Sequence, residues 1–251
     1  MKISLITPVL NRVKTLKHTI QSVLEQSQTP YEHLIIDGGS VDGTLELLKA
    51  YPHLLVHSKP DLGLYDAMNK GIALAKGEII GILNSDDVYA HSQVLEKIAQ
   101  VFKDNPQAQM VYGDLVYVRD AKIVRYYQSG NFDPKLFFYG RVPAHPTLFV
   151  RKEVYARFGG YKIDYKIAAD YEFLVRTLLK GGVSWAYLPE VLIKMGVGGV
   201  STQGLKSLWL ANKENLRACR ENGIKANLLT MLLRYPYKIK GLLRAKLSVW
   251  N

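Results

Sequence analysis

The chain is poor in several features that would narrow its chemistry. Its 251 residues include one cysteine, Cys219, so no disulfide can close within it, and no metal-ligand spacing surrounds that thiol. A reducing compartment fits. No stretch approaches the roughly 18 consecutive apolar residues of a membrane span. Met1-Lys2-Ile3-Ser4-Leu5 runs into a strand pattern instead of a secretion signal, so a cytoplasmic protein is expected. Neither G-x-G-x-x-G nor G-x-x-x-x-G-K-[ST] follows an apolar strand, which excludes the two common glycine loops that cradle phosphates. Acidic residues are absent from 223–251, a segment with six lysines and arginines.

What is present describes a sizeable core. A hydrophobic content of 48% in this length fits one α/β domain with a small appendage. The net charge of +11 points to an anionic partner. Sixteen tyrosines and this charge raise the reading of a nucleic-acid-binding protein. The tyrosines are scattered, the basic residues concentrate in the tail and no nucleic-acid motif occurs, so no nucleic-acid partner is expected.

Strand, polar loop and helix alternate from the start. Ile3–Val9 reads as a strand, Asn11 as a helix cap, and Leu16, Ile20, Val23 and Leu24 as the apolar face of the first helix. A strand at 33–36 ends in Asp37-Gly38-Gly39-Ser40-Val41-Asp42-Gly43-Thr44. A third unit combines a strand at 54–57 with a helix through Ala67, Met68, Ile72 and Ala75. The near-continuous apolar run 78–83 then reads as a strand buried on both faces, and it ends in Asn84-Ser85-Asp86-Asp87. This alternation predicts a mostly parallel, doubly wound sheet with helices on both faces, whose loops converge on one edge.

At that edge, Asp37 reads either as a turn residue or as a carboxylate that accepts hydrogen bonds from a ligand. Asp42 and Thr44 read as turn and cap chemistry. Asp86 and Asp87 read either as acids at the start of a helix beginning near Ser92 or as ligands of a divalent cation that bridges phosphates.

The order of these motifs over about residues 2–200 resembles the family 2 inverting glycosyltransferases of GT-A fold. Thr7-Pro8-Val9-Leu10-Asn11 and the segment from Asp37 to Thr44 look like the opening donor-site motifs. The run Asp61-Leu62-Gly63-Leu64-Tyr65-Asp66-Ala67-Met68-Asn69-Lys70-Gly71 is similar to the helix that these enzymes place beside the nucleotide. Asn84-Ser85-Asp86-Asp87 stands where the family carries its Asp-x-Asp motif, with Asn84 in place of the first aspartate. The resemblance implies a UDP-sugar or GDP-sugar donor held by Thr7, Pro8, Asn11, Asp37, Asp66, Asn69, Lys70 and Asp86. It also implies Mg2+ or Mn2+ on Asp86 and Asp87. Residues 1–110 would form the nucleotide-sugar half and residues 111–222 the acceptor half.

In that second half, 110–118 and 123–127 flank the polar turn Arg119-Asp120-Ala121-Lys122 as a hairpin. His145, between Pro143 and Pro146, reads as a structural histidine or as a ring facing the acceptor. Asp170 precedes a helix with Tyr171, Leu174, Val175 and Leu178 on one face, ended by Gly181-Gly182. By its residues alone it reads as an N-cap with Glu172 as a first-turn acid. By resemblance Asp170 is the general base that takes the acceptor's proton, with Glu172 nearby on the acceptor side. Strands are expected at 185–188 and 191–195, and the glycine-rich 196–202 reads as a lid or a simple connection.

The Gln-x-x-Arg-Trp motif of the processive synthases is absent, which favours one sugar transferred per encounter. The resemblance leans towards bacterial surface-polysaccharide or glycolipid assembly with a saccharide or lipid-linked acceptor. The basic tail 223–251 reads either as an amphipathic helix pair on the anionic inner face of the plasma membrane or as a helix packed on the body. A catalytically silent scaffold of this fold is the remaining alternative.

Overall fold

A computed structural model describes residues 1–197, 204–233 and 242. Nine strands form one sheet: β1 Ile3–Val9, β2 Glu32–Asp37, β3 Leu55–Ser58, β4 Ile79–Ile82, β5 Asp87–Tyr89, β6 Met110–Arg119, β7 Lys122–Tyr127, β8 Phe149–Arg151 and β9 Trp185–Gly196. The helices are α1 Leu16–Leu24, α2 Thr44–Leu48, α3 Leu64–Leu74, α4 Val94–Asp104, α5 Lys152–Phe158, α6 Ala169–Leu174, α7 Gly204–Glu221 and α8 Leu228–Leu232.

The strand order is β3-β2-β1-β4-β8-β6-β9-β5, with β7 paired to β6. The first four strands are parallel, as the βα alternation requires. Beyond β4 the sheet becomes mixed: β8 is antiparallel to β4 and β6, β9 is parallel to β6, and β5 and β7 are antiparallel edges. One sheet thus runs through both halves of the sequence. Every residue of β1 and β4 is buried, so the two strands that end at the functional edge are held from both faces. A Cβ on Gly81 would collide with the Phe149 ring, so glycine is what lets β8 pass close to β4.

Several expectations shift. The first helix begins at Leu16 with Thr15 at its N-cap, and Asn11 instead holds a left-handed backbone with φ 53°. Strand β3 is an exposed edge. Strand β5 intervenes after Asp86, and α4 starts only at Val94 with Gln93 at its N-cap, so Asp86 and Asp87 cap no helix. The two strands expected at 185–195 are one strand, β9, with register shifts opposite Asp114. The hairpin turn stands where expected, with Asp120 and Ala121 both at positive φ, as a two-residue primed turn requires.

Residues 198–203, the centre of the glycine-rich segment, and all of 234–251 except 242 lie outside the described residues. Within the described part of the tail, α8 opens with a capping box between Asn227 and Thr230. Of its apolar side chains Met231 is buried, while Leu228, Leu229 and Leu232 stay exposed. No helix among the described residues is long and apolar enough to cross a membrane.

Candidate active site

A cavity of about 450 Å³ opens at the carboxyl ends of β1 and β4. This is the edge where open α/β sheets bind ligands. Pro8, Val9, Asn84, Ser85 and Asp86 form its base, and Asp61, Gly63, Leu64 and Tyr65 its wall at the start of α3. Leu115, Tyr117 and Tyr127 of the β6–β7 hairpin, His145, and the approach to α6 with Lys166 and Asp170 complete it.

The acidic motif is fastened from below. Thr15 and Thr19, one turn apart on α1, donate their hydroxyls to the carbonyls of Ser85 and Asp87, each at 2.8 Å. Asp86 lines the cavity and Asp87 does not. The Asp87 side chain is buried and accepts 2.9 Å from Asn84 Nδ2. Burial, followed by the charge of Asp86, pushes its carboxyl up to about 7. Asn84 Oδ1 and Asp87 Oδ1 are buried without hydrogen-bond partners. The pair of carboxylates read from the sequence is therefore split by the fold. One faces the ligand space, and the other orients Asn84.

Among the described residues, no three His, Cys, Asp or Glu side chains cluster as a metal cage. A divalent cation bound partly by substrate phosphates needs less, because Mg2+ keeps waters and takes one or two carboxylates plus phosphate oxygens. The Asp86 carboxylate and the unpartnered Asn84 amide oxygen supply hard oxygen donors of that kind, so the residues present fit such an ion.

At the carboxyl end of β2, Asp37 is buried and committed to its own loop. Its carboxylate accepts from Gly39 N at 3.1 Å, Ser40 N at 3.2 Å and Ser58 Oγ at 2.6 Å. Asp61 reaches the cavity instead, lying so close over Gly38 that a Cβ there would collide with its carboxylate. Thr7 is buried with its hydroxyl 2.9 Å from His33 Nε2. Asn11 clips the β1 and β2 loops together: its N–H donates to Ser40 Oγ at 2.7 Å and its Oδ1 accepts from Val41 N at 2.9 Å.

Three residues of the α3 motif also hold structure. Asp66 accepts from Leu62 N and pairs with Lys70 at 2.9 Å, while Lys70 donates to the Pro60 carbonyl. Asn69 bonds both backbone groups of Tyr161, at 2.7 and 2.8 Å, and so ties α3 to the second half. None of Thr7, Asn11, Asp37, Asp66, Asn69 and Lys70 lines the cavity, whereas Pro8 does.

Asp170 stands in the first turn of α6 but does not cap it. Ala168 holds the N-cap position. The N–H groups of Lys166, Ile167 and Ala168 all donate to the buried carboxylate of Glu214 on α7, each at 2.9 Å. Asp170 Oδ1 accepts from Tyr171 N at 2.8 Å and has Tyr65 Oη at 3.4 Å. The Tyr65 hydroxyl donates to the Ile167 carbonyl at 2.6 Å, and burial together with the Asp170 charge raises its pKa well above the usual range.

His145 lines the cavity with its Nε2 2.8 Å from the Tyr161 hydroxyl, and burial lowers its pKa against the opposing pull of Asp170. The sequence did not reveal this tyrosine partner. Glu172 is fully buried, paired with Arg176 at 3.0 Å and Lys162 at 3.1 Å, and does not line the cavity.

Reading along the chain singled out Pro8, Asp86, His145 and Asp170 among the cavity residues. It assigned no role to Arg12, Asp61, Tyr65, Tyr117, Lys166 or Glu214. Asp61 and Tyr65 belong to the quoted α3 run, so a signal for them existed. Glu214 lies 46 residues from Ala168 and carries no local signal.

The glycosyl transferase family 2 profile matches residues 4–159. A PGL/p-HBAD biosynthesis glycosyltransferase of Mycobacterium bovis (strain BCG / Pasteur 1173P2) is 28% identical over 204 residues, covering 79% of this chain and 78% of the relative. Among solved structures, S. aureus TarS 1-349 in complex with UDP superposes with a TM-score of 0.68 at 19% identity, over 94% of this chain and 72% of that one. The chain spans 39% of the longer TarS chain. The mannosyltransferase PcManGT from Pyrobaculum calidifontis in complex with GDP-Man and Mn2+ gives a TM-score of 0.66 at 18% identity, over 98% of this chain and 74% of that one. The fold is thus the GT-A α/β fold, and the chain belongs to glycosyl transferase family 2.

Proposed function

We propose that this glycosyltransferase moves one sugar from a nucleoside-diphosphate sugar to an acceptor hydroxyl with inversion at the anomeric carbon. The observation that carries the reading is the placing of Asp86 and Asp170 on different elements around a single cavity. Asp170 is the base: as the acceptor oxygen bonds to the anomeric carbon and the bond to the diphosphate breaks, its carboxylate takes the acceptor proton. Asp61 and Pro8 face the nucleoside end, and Arg12, which lines the cavity, offers charge to the diphosphate. Mg2+ or Mn2+, when bound, would supply charge neutralisation for the departing diphosphate, and Asp86 with the Asn84 amide oxygen would hold it. His145, paired to Tyr161, shapes the acceptor side.

The donor is a UDP-sugar or GDP-sugar, in line with the nucleotides named in the two structural neighbours. The acceptor is a saccharide or lipid-linked saccharide in surface-polysaccharide or glycolipid assembly, and the relative named for PGL/p-HBAD biosynthesis supports a biosynthetic role. Residues 1–110 serve the donor and 111–222 the acceptor. The basic segment 223–251 meets an anionic membrane surface, a reading that the exposed leucines of α8 favour.

The test is release of nucleoside diphosphate from a panel of nucleotide sugars, with and without Mn2+ or Mg2+, followed by NMR of the product's anomeric configuration. Asp170→Asn is expected to keep donor affinity and lower turnover by about 10²- to 10⁴-fold. Unchanged turnover in that variant would sink the assignment of the base.

A further inference from the structure

His145 is built into the cavity wall as a fixed ring. It opens the short 3₁₀ turn His145–Thr147, and Pro143 and Pro146 restrict the backbone on either side. Thr147 N donates to the Ala144 carbonyl and Leu148 N to that of His145, each at 2.9 Å. The ring meets that of Tyr161 edge-on, with centres 5.4 Å apart and planes at 78°. Tyr161 is packed in turn against Tyr65, Tyr155 and Phe173, and Asn69 holds both of its backbone groups. His145 lines the cavity, whereas Tyr155 and Tyr161 do not.

Hydrogen-bond accounting gives the two ring nitrogens different tasks. Nε2 lies 2.8 Å from Tyr161 Oη, which lies 3.3 Å from Tyr155 Oη. Both tyrosines are buried, and each hydroxyl carries one hydrogen. Tyr161 Oη is the partner of the Tyr155 hydroxyl, so the Tyr155 hydrogen goes there and the Tyr161 hydrogen goes on to His145 Nε2. The reverse order would strand the Tyr155 hydrogen in the core without an acceptor. Nε2 is therefore the bare, accepting nitrogen. Burial lowers the pKa of His145 against the pull of Asp170, which keeps the ring neutral with its one hydrogen on Nδ1. Among the described residues, Nδ1 has no hydrogen-bond partner. The buried side-chain atoms left without one are His33 Nδ1, Asn84 Oδ1, Asp87 Oδ1 and Arg125 Nε, so His145 Nδ1 is not sealed in the core but open at the cavity.

Asp170 is close enough for its charge to act on the His145 ring, and both residues line the cavity. We propose that His145, through Nδ1–H, is a specificity-determining donor to a sugar hydroxyl held beside Asp170, with the Tyr155–Tyr161 pair fixing the tautomer that donates. A hydroxyl oxygen accepts from such an N–H while keeping its own hydrogen for another partner. A sugar without that hydroxyl leaves the N–H unpaired and is rejected on that account. The inference rests on the transferase reading of the cavity and deepens it by naming what selects the sugar.

The experiment uses the full chain with ¹⁵N-labelled histidine, whose ring nitrogens report the tautomer by NMR. Wild type is expected to show a protonated Nδ1 and a bare Nε2 at His145, and Tyr161→Phe to lose that preference. A wild-type ring protonated at Nε2 overturns the proposal. The Nδ1–H resonance is then followed as UDP or GDP is added, then UDP-glucose or GDP-mannose, then methyl glycosides of glucose, galactose and mannose with nucleotide present. A shift with the nucleotide sugar beyond that with the nucleotide makes the hydroxyl one of the donor sugar, and a shift with a glycoside makes it one of the acceptor. No shift with any sugar while nucleotide binds overturns the subsite. His145→Phe should weaken the responding sugar about tenfold. His145→Asn, whose side-chain N–H overlays Nδ1, should recover most of that loss, and His145→Gln, whose N–H overlays Nε2, should not. Equal losses in these two variants overturn the role of Nδ1. The wild-type titration does not depend on the variants' folding. Failure of all the nucleotides to bind wild type would instead overturn the transferase reading.

Discussion

Asp170 stands in the first turn of α6 and lines the cavity, with Ala168 at the N-cap. Glu214 holds the three residues before α6, accepting from the N–H groups of Lys166, Ile167 and Ala168. A second residue, His33, is a titrating probe of the parallel half of the sheet. It is buried in β2 beside Thr7, and burial first, then the charge of His53, lowers its pKa to about 3. Unfolded, it binds its proton near pH 6.5. Between these values the unfolded chain holds more protons than the folded one, so stability falls as pH drops from about 6.5 to about 3. At about 1.4 kcal/mol per unit the full window amounts to roughly 3–5 kcal/mol. Urea midpoints of wild type and His33→Gln should diverge less at pH 4.5 than at pH 7.5, since only wild type loses stability through this group. Parallel pH profiles would show that His33 protonates in place.

Among elements, α7 is the one whose position matters most to the site. It is distant in sequence from the cavity, yet its Glu214 holds the turn from Lys166 to Ala168 that aims Asp170. Removing the carboxylate leaves three backbone N–H groups without partners, of which that of Ala168 is buried and costs about 1–3 kcal/mol, while water can reach the other two. Glu214→Ala should lower the unfolding midpoint and also lower kcat, with donor binding close to wild type. A variant that loses stability but keeps kcat would show that the turn holds Asp170 without Glu214. The β6–β7 hairpin contributes one wall of the cavity through its register. Its turn places Tyr117 opposite Arg125 and Leu115 opposite Tyr127, and a one-residue slip would turn Leu115, Tyr117 and Tyr127 away from the cavity.

At the scale of the molecule, one sheet joins the strands that carry Asp86 to the elements that carry Asp170, and ligand binding should stabilise the whole. A donor nucleotide at 100 times its dissociation constant adds about 2.7 kcal/mol to the folded state. Thermal unfolding with UDP-sugar or GDP-sugar should rise by several degrees, more with Mn2+ than with chelator. Asp86→Asn should abolish the metal-dependent part alone. An identical shift in chelator and in Mn2+ would exclude the ion from donor binding.

The βα alternation and the helix periodicities reveal the parallel half of the sheet, because local pattern and burial agree there. The mixed half is less legible. Strands β5 and β8 have three residues each, too short to carry a periodicity, and each is defined only by its partner strand. By itself the sequence determined the family and the strand ends at which the cavity opens, and it singled out Asp86 and Asp170, which both line that cavity, since strand ends and motif order are local properties. Tertiary structure decided which carboxylates are free to act. Asp37, Asp87 and Glu172 are acids of equal standing in the chain, and each is taken up on folding, Asp37 by its own loop and the distant Ser58, Asp87 by the neighbouring Asn84, and Glu172 by Arg176 and Lys162. Asp61 and Asp170 line the cavity, Asp61 because Gly38 lets its carboxylate pass close over the backbone, and Asp170 on a helix that follows a turn held by the distant Glu214.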